Sequence, residues 1–254
     1  MRLSRIYAVT YRNIVNSQKN FFRLFDITLW PLVLFLSLTL FIQYIKGESA
    51  ILGAVILGVM GWRIVYHMQI EFCQSYMDNW WSGMLGHFMI SPVTTLEFIL
   101  GNLVVAVVKM GAVAGTYFIF AKLLFDYTFT NWNLILIGSL ILMLFGLCMG
   151  LITLGICMIY QDNAFAVAYL LPDLIVLFSG VYYPVTIFPV FIQKVMTVFP
   201  TLYAFEILKA SVGLGSINIP YSIATVVLWF VISVSFLIFC KKYAKRKGLF
   251  AKLN

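Results

Sequence analysis

The chain has 254 residues, 63% of them hydrophobic and 10% charged, with a mean hydropathy of +0.99. A soluble domain is about half apolar and a quarter charged, so this composition excludes a soluble enzyme or binding module and points to helical membrane spans. The net charge of +8 does not indicate nucleic acid, because of 17 Lys and Arg five precede Asp26 and six lie from Lys241 onward. That is the positive-inside pattern at both ends. Both termini are therefore expected in the cytoplasm, with an even number of spans and basic ends suited to anionic headgroups.

Residues 2–24 open the chain. Leu3, Ile6, Tyr7, Thr10, Tyr11 and Ile14 share one helical face, while Arg2, Arg5 and Arg12 lie mostly elsewhere. A basic amphipathic helix of this kind lies in the membrane interface or binds a partner. Its candidate interface residues are Arg12, Lys19, Phe21, Phe22 and Arg23. No short apolar core with a cleavage site marks a signal peptide here.

Spans are predicted at 26–45 and 49–72. The second ends unusually, with Arg63, His67 and Glu71 at four-residue steps on one face. Charge inside a span usually faces protein or water. Arg63 is expected to pair with Glu71 or a neighbouring helix, or to mark the mouth of a pathway. The helix could also project beyond the lipid and leave these charges in water.

The segment 76–90 is expected to form a short cytoplasmic helix carrying Asp78, Trp80, Trp81, Met84, Leu85 and Phe88, stopped before Ser91-Pro92. So many apolar side chains on a short polar-side loop need a surface to bury against. Partner docking is one reading, and Trp80 and Trp81 as headgroup-level anchors is the other.

Spans at 96–124, 134–160 and 164–183 follow. The first contains Lys109 and GAVAG at 111–115, the second GLCMG at 146–150; both are small-residue patterns that let helices approach. Gln161 and Asp162 open a polar turn on the cytoplasmic side. Asp173 follows Pro172 inside the fifth span and is either a functional group or a cap at a proline break.

Residues 184–212 stay apolar and aromatic although Pro184, Pro189 and Pro200 interrupt them. A water-exposed loop would be polar, and a spanning helix would run about 20 residues unbroken. The segment is predicted to be a re-entrant hairpin, buried in protein because lipid offers no hydrogen-bond partners. A proline-kinked loop on the bilayer surface is the alternative. A sixth span at 219–240 leads into a basic tail at 241–254.

The four cysteines form no CxxC, and His67 and His87 stand far apart without metal-ligand spacing, so neither a disulfide framework nor a metal site is expected. The chain has no GxxxxGK[ST] and cannot itself cradle ATP phosphates in a P-loop. The fold class is thus an all-α polytopic membrane protein of six spans, with an N-terminal interface helix and a re-entrant hairpin before the last span.

Three stretches resemble the ABC-2 family of ABC-transporter permeases: SPVTTLEFILG at 91–101, LFSGVYYPVTIFP at 177–189 and PTLYAFEILK at 200–209. They stand in the family's order and cover, with the topology, nearly the whole chain. The family often carries a Glu-Arg pair before its cytoplasmic helix, where this chain has SYMDNWWSG with Asp78 alone charged. The resemblance implies a homodimer, or a pair with a similar permease, on two separate cytoplasmic ATPase subunits. ATP and Mg would sit on those subunits, with no cofactor on this chain. It also implies export of an amphipathic compound such as a lipid, lipid-linked glycan or drug. Docking would involve the residues of 76–92 named above with Gln161 and Asp162. An outer gate would involve Gly180, Tyr182, Tyr183, Pro184, Pro189, Pro200, Tyr203 and Glu206. An ATP-independent transporter or channel, with Arg63, Glu71, Lys109 and Asp173 as its intramembrane polar groups, is the alternative, though no internal repeat supports it. A lipid enzyme would need an interfacial cluster of His or acids that the sequence lacks.

Overall fold

The computed structural model describes residues 2–181 and 183–249. Its elements are helices: α1 (Leu3–Lys19), α2 (Phe21–Tyr44), α3 (Ser49–Trp81), α4 (Leu85–Ile90), α5 (Thr95–Phe125), α6 (Trp132–Tyr160), α7 (Asp162–Leu177), α8 (Val190–Met196), α9 (Pro200–Ala210) and α10 (Ile219–Arg246), with a 3₁₀ turn at Val185–Ile187. Five of them, α2, α3, α5, α6 and α10, are long and apolar enough to cross a membrane. The count is six if α8 and α9, bent by 87°, form one broken span. The chain is a multi-span helical membrane protein.

Helix α3 is the axis of the bundle. Every residue from Ile56 to Met77 is buried, and α2, α5, α6, α7 and α9 all pack on it. A helix buried all round needs no polar face, but each polar group on it needs a partner inside the protein. Helix α6 approaches α3 closely at Gly146 and Gly150: a Cβ on Gly150 would lie 2.5 Å from the Phe72 ring, and one on Gly146 2.7 Å from Met68 Cβ. The GLCMG pattern is thus a packing surface. The GAVAG pattern is not one within this chain, because a Cβ on Gly111 or Gly115 would meet nothing within 4 Å.

Several boundaries differ from the sequence reading. Helix α3 continues to Trp81, nine residues beyond the predicted end of the second span at 72. Nothing from Cys73 to Trp81 breaks a helix, and Gly83, at φ +71°, follows its end. The single helix predicted over 76–90 is therefore split between the last turns of α3 and the six-residue α4. Helix α7 is 16 residues long and ends at Leu177, earlier than the predicted 183. Two residues beyond Phe178, Gly180 takes φ +62°, a turn conformation that glycine adopts without steric cost. At about 24 Å, α7 is shorter than the hydrocarbon core. Helix α10 runs through Arg246, so the tail predicted from 241 begins as helix. Tyr182 and residues 250–254 lie outside the described residues.

Candidate functional site

The basic residues of both chain ends meet at one end of the bundle. Helix α1 lies across the start of α5, where a Cβ on Gly101 would come within 2.7 Å of Val9. Its buried face is Val9, Thr10, Asn13 and Ser17, while Leu3, Tyr7 and Tyr11 point outward. The small polar side therefore faces protein and the apolar stripe faces away, the orientation of a helix lying in the bilayer interface.

A polar network ties this helix to the spans. Asn13 Nδ2 donates to Ser75 Oγ at 2.8 Å and to Asn102 Oδ1 at 2.6 Å. Arg12 donates to Asn79 Oδ1 at 2.7 Å and lies 5.5 Å from the centre of the Phe88 ring on α4. Burial lowers the Arg12 guanidinium from its ordinary value and nearby Asp78 partly offsets this; an arginine so placed stays cationic. Arg23 makes a two-pronged contact with Asp78, one arm at 2.8 Å.

The start of α5 is anchored by Glu97. With Thr94 it forms a capping box, and Glu97 Oε1 also accepts the Arg2 backbone N–H at 2.8 Å. Arg5 donates to the Pro92 carbonyl at 2.6 Å and lies 3.7 Å from the Glu97 carboxylate. Ser91 Oγ donates to the Phe88 carbonyl, closing α4. On the far side Trp81 Nε1 donates to Asp162 Oδ1 at 2.7 Å, Gln161 Nε2 donates to the Leu249 carbonyl, and Lys241 reaches Thr95.

Of the residues predicted for partner contact, Trp80 and Leu85 are buried inside the fold. Trp81 and Met84 are exposed, as are Phe21, Phe22 and Lys19. Together they form an apolar and basic platform around the foot of α3.

Deeper in the bundle, Arg63, His67 and Glu71 are all buried, at 5%, 1% and 3% exposure, so they do not project into water. Glu71 pairs with Lys109 on α5 at 2.5 Å, not with Arg63. Among the described residues Arg63 makes no ion pair; its guanidinium lies over Tyr66, 5.2 Å from the ring centre. Asp173 is exposed on α7 and lines a cavity that Arg63 also lines.

At the opposite end, Pro184, Pro189 and Pro200 stand at the starts of the 3₁₀ turn, α8 and α9. Helix α9 dips into the bundle: Cβ atoms on Gly61 and Gly138 would come within 2.8 Å of Phe205 and Leu208. Gly61 is 12 residues into α3, so α9 reaches about 18 Å along it. Lys209 Nζ donates to the Gly180 carbonyl at 2.5 Å and lies 3.6 Å from Glu206. Tyr203 stacks on Tyr221 and donates to the Thr197 carbonyl at 3.0 Å. Tyr183, Tyr203, Glu206 and Lys209 line an open cleft of about 720 Å³.

Helix α7 joins the two ends, with Asp162 bonded to Trp81 at its start and Gly180 bonded to Lys209 beyond its finish. Ser75, Asn79 and Asn102 carry no signal of their own in the sequence, where Asn13 counts only as lying off the apolar face of the first helix and Glu97 only as part of a motif. The signal for Asn13 was Val9, Thr10, Asn13 and Ser17 at three- and four-residue steps, a second and more polar stripe on α1. No protein-family model and no curated protein matches the chain.

Proposed function

We propose that the chain is the membrane-spanning permease subunit of an ATP-driven exporter of the ABC-2 kind. It would act as a pair, most simply two copies, on two cytoplasmic ATPase subunits that bind ATP and Mg. The basic end then faces the cytoplasm, in keeping with the charge rule. The cargo is an amphipathic molecule.

The observation that carries this reading is the continuity of α3. Its last turns form the centre of the platform bearing Trp81 and Met84, and the same helix runs buried through the bundle to α9 at the other end. A push at the platform by a partner subunit would move a rigid rod that touches nearly every span. The α9 hairpin, seated against that rod, is the element that would open at the far side. The chain's lack of a P-loop motif leaves the energy to a partner.

The test is co-purification from the native host in mild detergent with a tag on this chain. A P-loop ATPase in roughly equal amount is the expected result. A chain that purifies alone and still moves ions in liposomes would overturn the exporter reading in favour of an ATP-independent transporter. A second test replaces the exposed Trp81 and Met84 by Asp. ATPase binding and transport should fall while membrane insertion persists; undiminished binding would remove the platform from the mechanism. Trp80 does not suit this test, because it is 6% exposed and part of the core.

A further inference from the structure

Arg63 stands about 21 Å along α3 from its start, well inside the bundle. It is 5% exposed, and its buried Nε has no hydrogen-bond partner. Native structures seldom leave a buried charged donor unsatisfied without a functional reason. It lines a cavity of about 300 Å³ between α2, α3 and α7, whose other walls include Trp30, Trp62, Tyr66, Tyr169 and Asp173.

Asp173 sits 11 residues into α7, lines the same cavity and is exposed. Beside it the exposed side chains are apolar: Leu170 and Leu174 on α7, and Val33 on the facing part of α2. The cavity lining thus offers one cation, one anion and several ring faces, with the Asp26 carboxylate of α2 within electrostatic reach of Arg63, next to a flank that an acyl chain would cover.

We propose that this cavity binds the head of a zwitterionic amphipath, with an oxyanion on Arg63 and a protonated amine between Asp173 and the aromatic rings. The assignment rests on the exporter reading and names its cargo class. A neutral head would leave the Arg63 Nε donor without a hydrogen bond and Asp173 without a cation, and a purely anionic one would leave Asp173 facing a like charge. A head with both groups satisfies the Arg63 donor with a charge-assisted bond and places the ammonium against ring faces and a carboxylate. The acyl part lies outside, along Val33, Leu170 and Leu174.

The test uses the full chain in dodecyl maltoside and native mass spectrometry with three probes of one acyl length: lysophosphatidylethanolamine, lysophosphatidic acid and a monoacylglycerol. The ethanolamine lipid should bind best, and the monoacylglycerol about tenfold or more weaker, the loss expected for a charge-assisted hydrogen bond. Arg63→Gln should bring the ethanolamine lipid down to the monoacylglycerol level. Asp173→Asn should erase its advantage over lysophosphatidic acid. Asp173 is exposed, so that variant carries the test even if Arg63→Gln elutes as aggregate. Equal binding of all three probes to the unaltered chain, or an Asp173→Asn variant with the preference intact, would overturn the proposal. With the ATPase partner present, ATP should release the ethanolamine lipid; retention would overturn its assignment as cargo. Binding is read without any ATPase, so a failed co-purification and a failed site are separate results.

Discussion

The Glu71–Lys109 pair shows how a buried helix distributes its charges. Glu71 is 3% exposed and Lys109 reaches it from α5 at 2.5 Å. Removing one partner leaves the other charge buried and uncompensated, which costs roughly 3–5 kcal/mol, whereas replacing both with apolar groups is often neutral. Glu71→Gln should therefore lower stability by about that range, and Glu71→Leu with Lys109→Leu should recover most of it. Denaturant titration of the three proteins checks this; an unaltered midpoint for the single variant would show that the pair is not structural. The pairing was not legible beforehand. Arg63, His67 and Glu71 recur at four-residue steps on one helical face, a spacing that offers Glu71 to Arg63 as readily as to a neighbouring helix. A helix surrounded on all sides hands neighbouring residues to different partners: Glu71 to α5, Arg63 to the cavity beside α2 and α7.

At the scale of elements, what was legible is what hydropathy and breakers encode. The long apolar runs became α2, α3, α5, α6 and α10 within a few residues, apart from the C-terminal ends of α3 and α10 and the start of α2, and the prolines after residue 183 became helix starts. Capped by Asn20, α2 begins at Phe21 and takes Phe21, Phe22 and Arg23 from the interface helix expected to run to 24. What was not legible is where helices stop without a breaker, as α3 does nine residues late, and which small-residue pattern packs. GLCMG and GAVAG look alike in sequence, yet only the first meets a neighbour. The contrast is testable. Gly146→Ala puts a methyl 3.1 Å from the Val65 backbone, which cannot swing away as a side chain can, and should cost about 1–3 kcal/mol as α6 is pushed off α3. Gly111→Ala meets open space and should leave the folded chain as stable or, because alanine is the better helix former, more stable by about 0.5–1 kcal/mol. Equal effects at both positions would mean that α5 has a partner at Gly111 that this chain alone does not supply.

At the scale of the whole molecule, the arrangement of the two ends follows from contacts, and their proposed sidedness rests on charge. Met84 belongs to the basic end and Leu214 to the hairpin end, and both are about half exposed, at 54% and 48%. All four native cysteines are buried, so a membrane-impermeant maleimide has little to react with in the unaltered chain. Leu214→Cys should label in intact cells, and Met84→Cys only after permeabilisation. Basic residues near span ends remain on the cytoplasmic side, and five of the 17 Lys and Arg precede Asp26 while six lie from Lys241 onward. The reverse pattern would invert the molecule, and the Trp81 and Met84 platform would then face away from any source of ATP. Labelling of both positions from outside would break the odd number of crossings, by α5, α6 and α7, that the proposed topology places between them, and with it the proposed link from platform to hairpin.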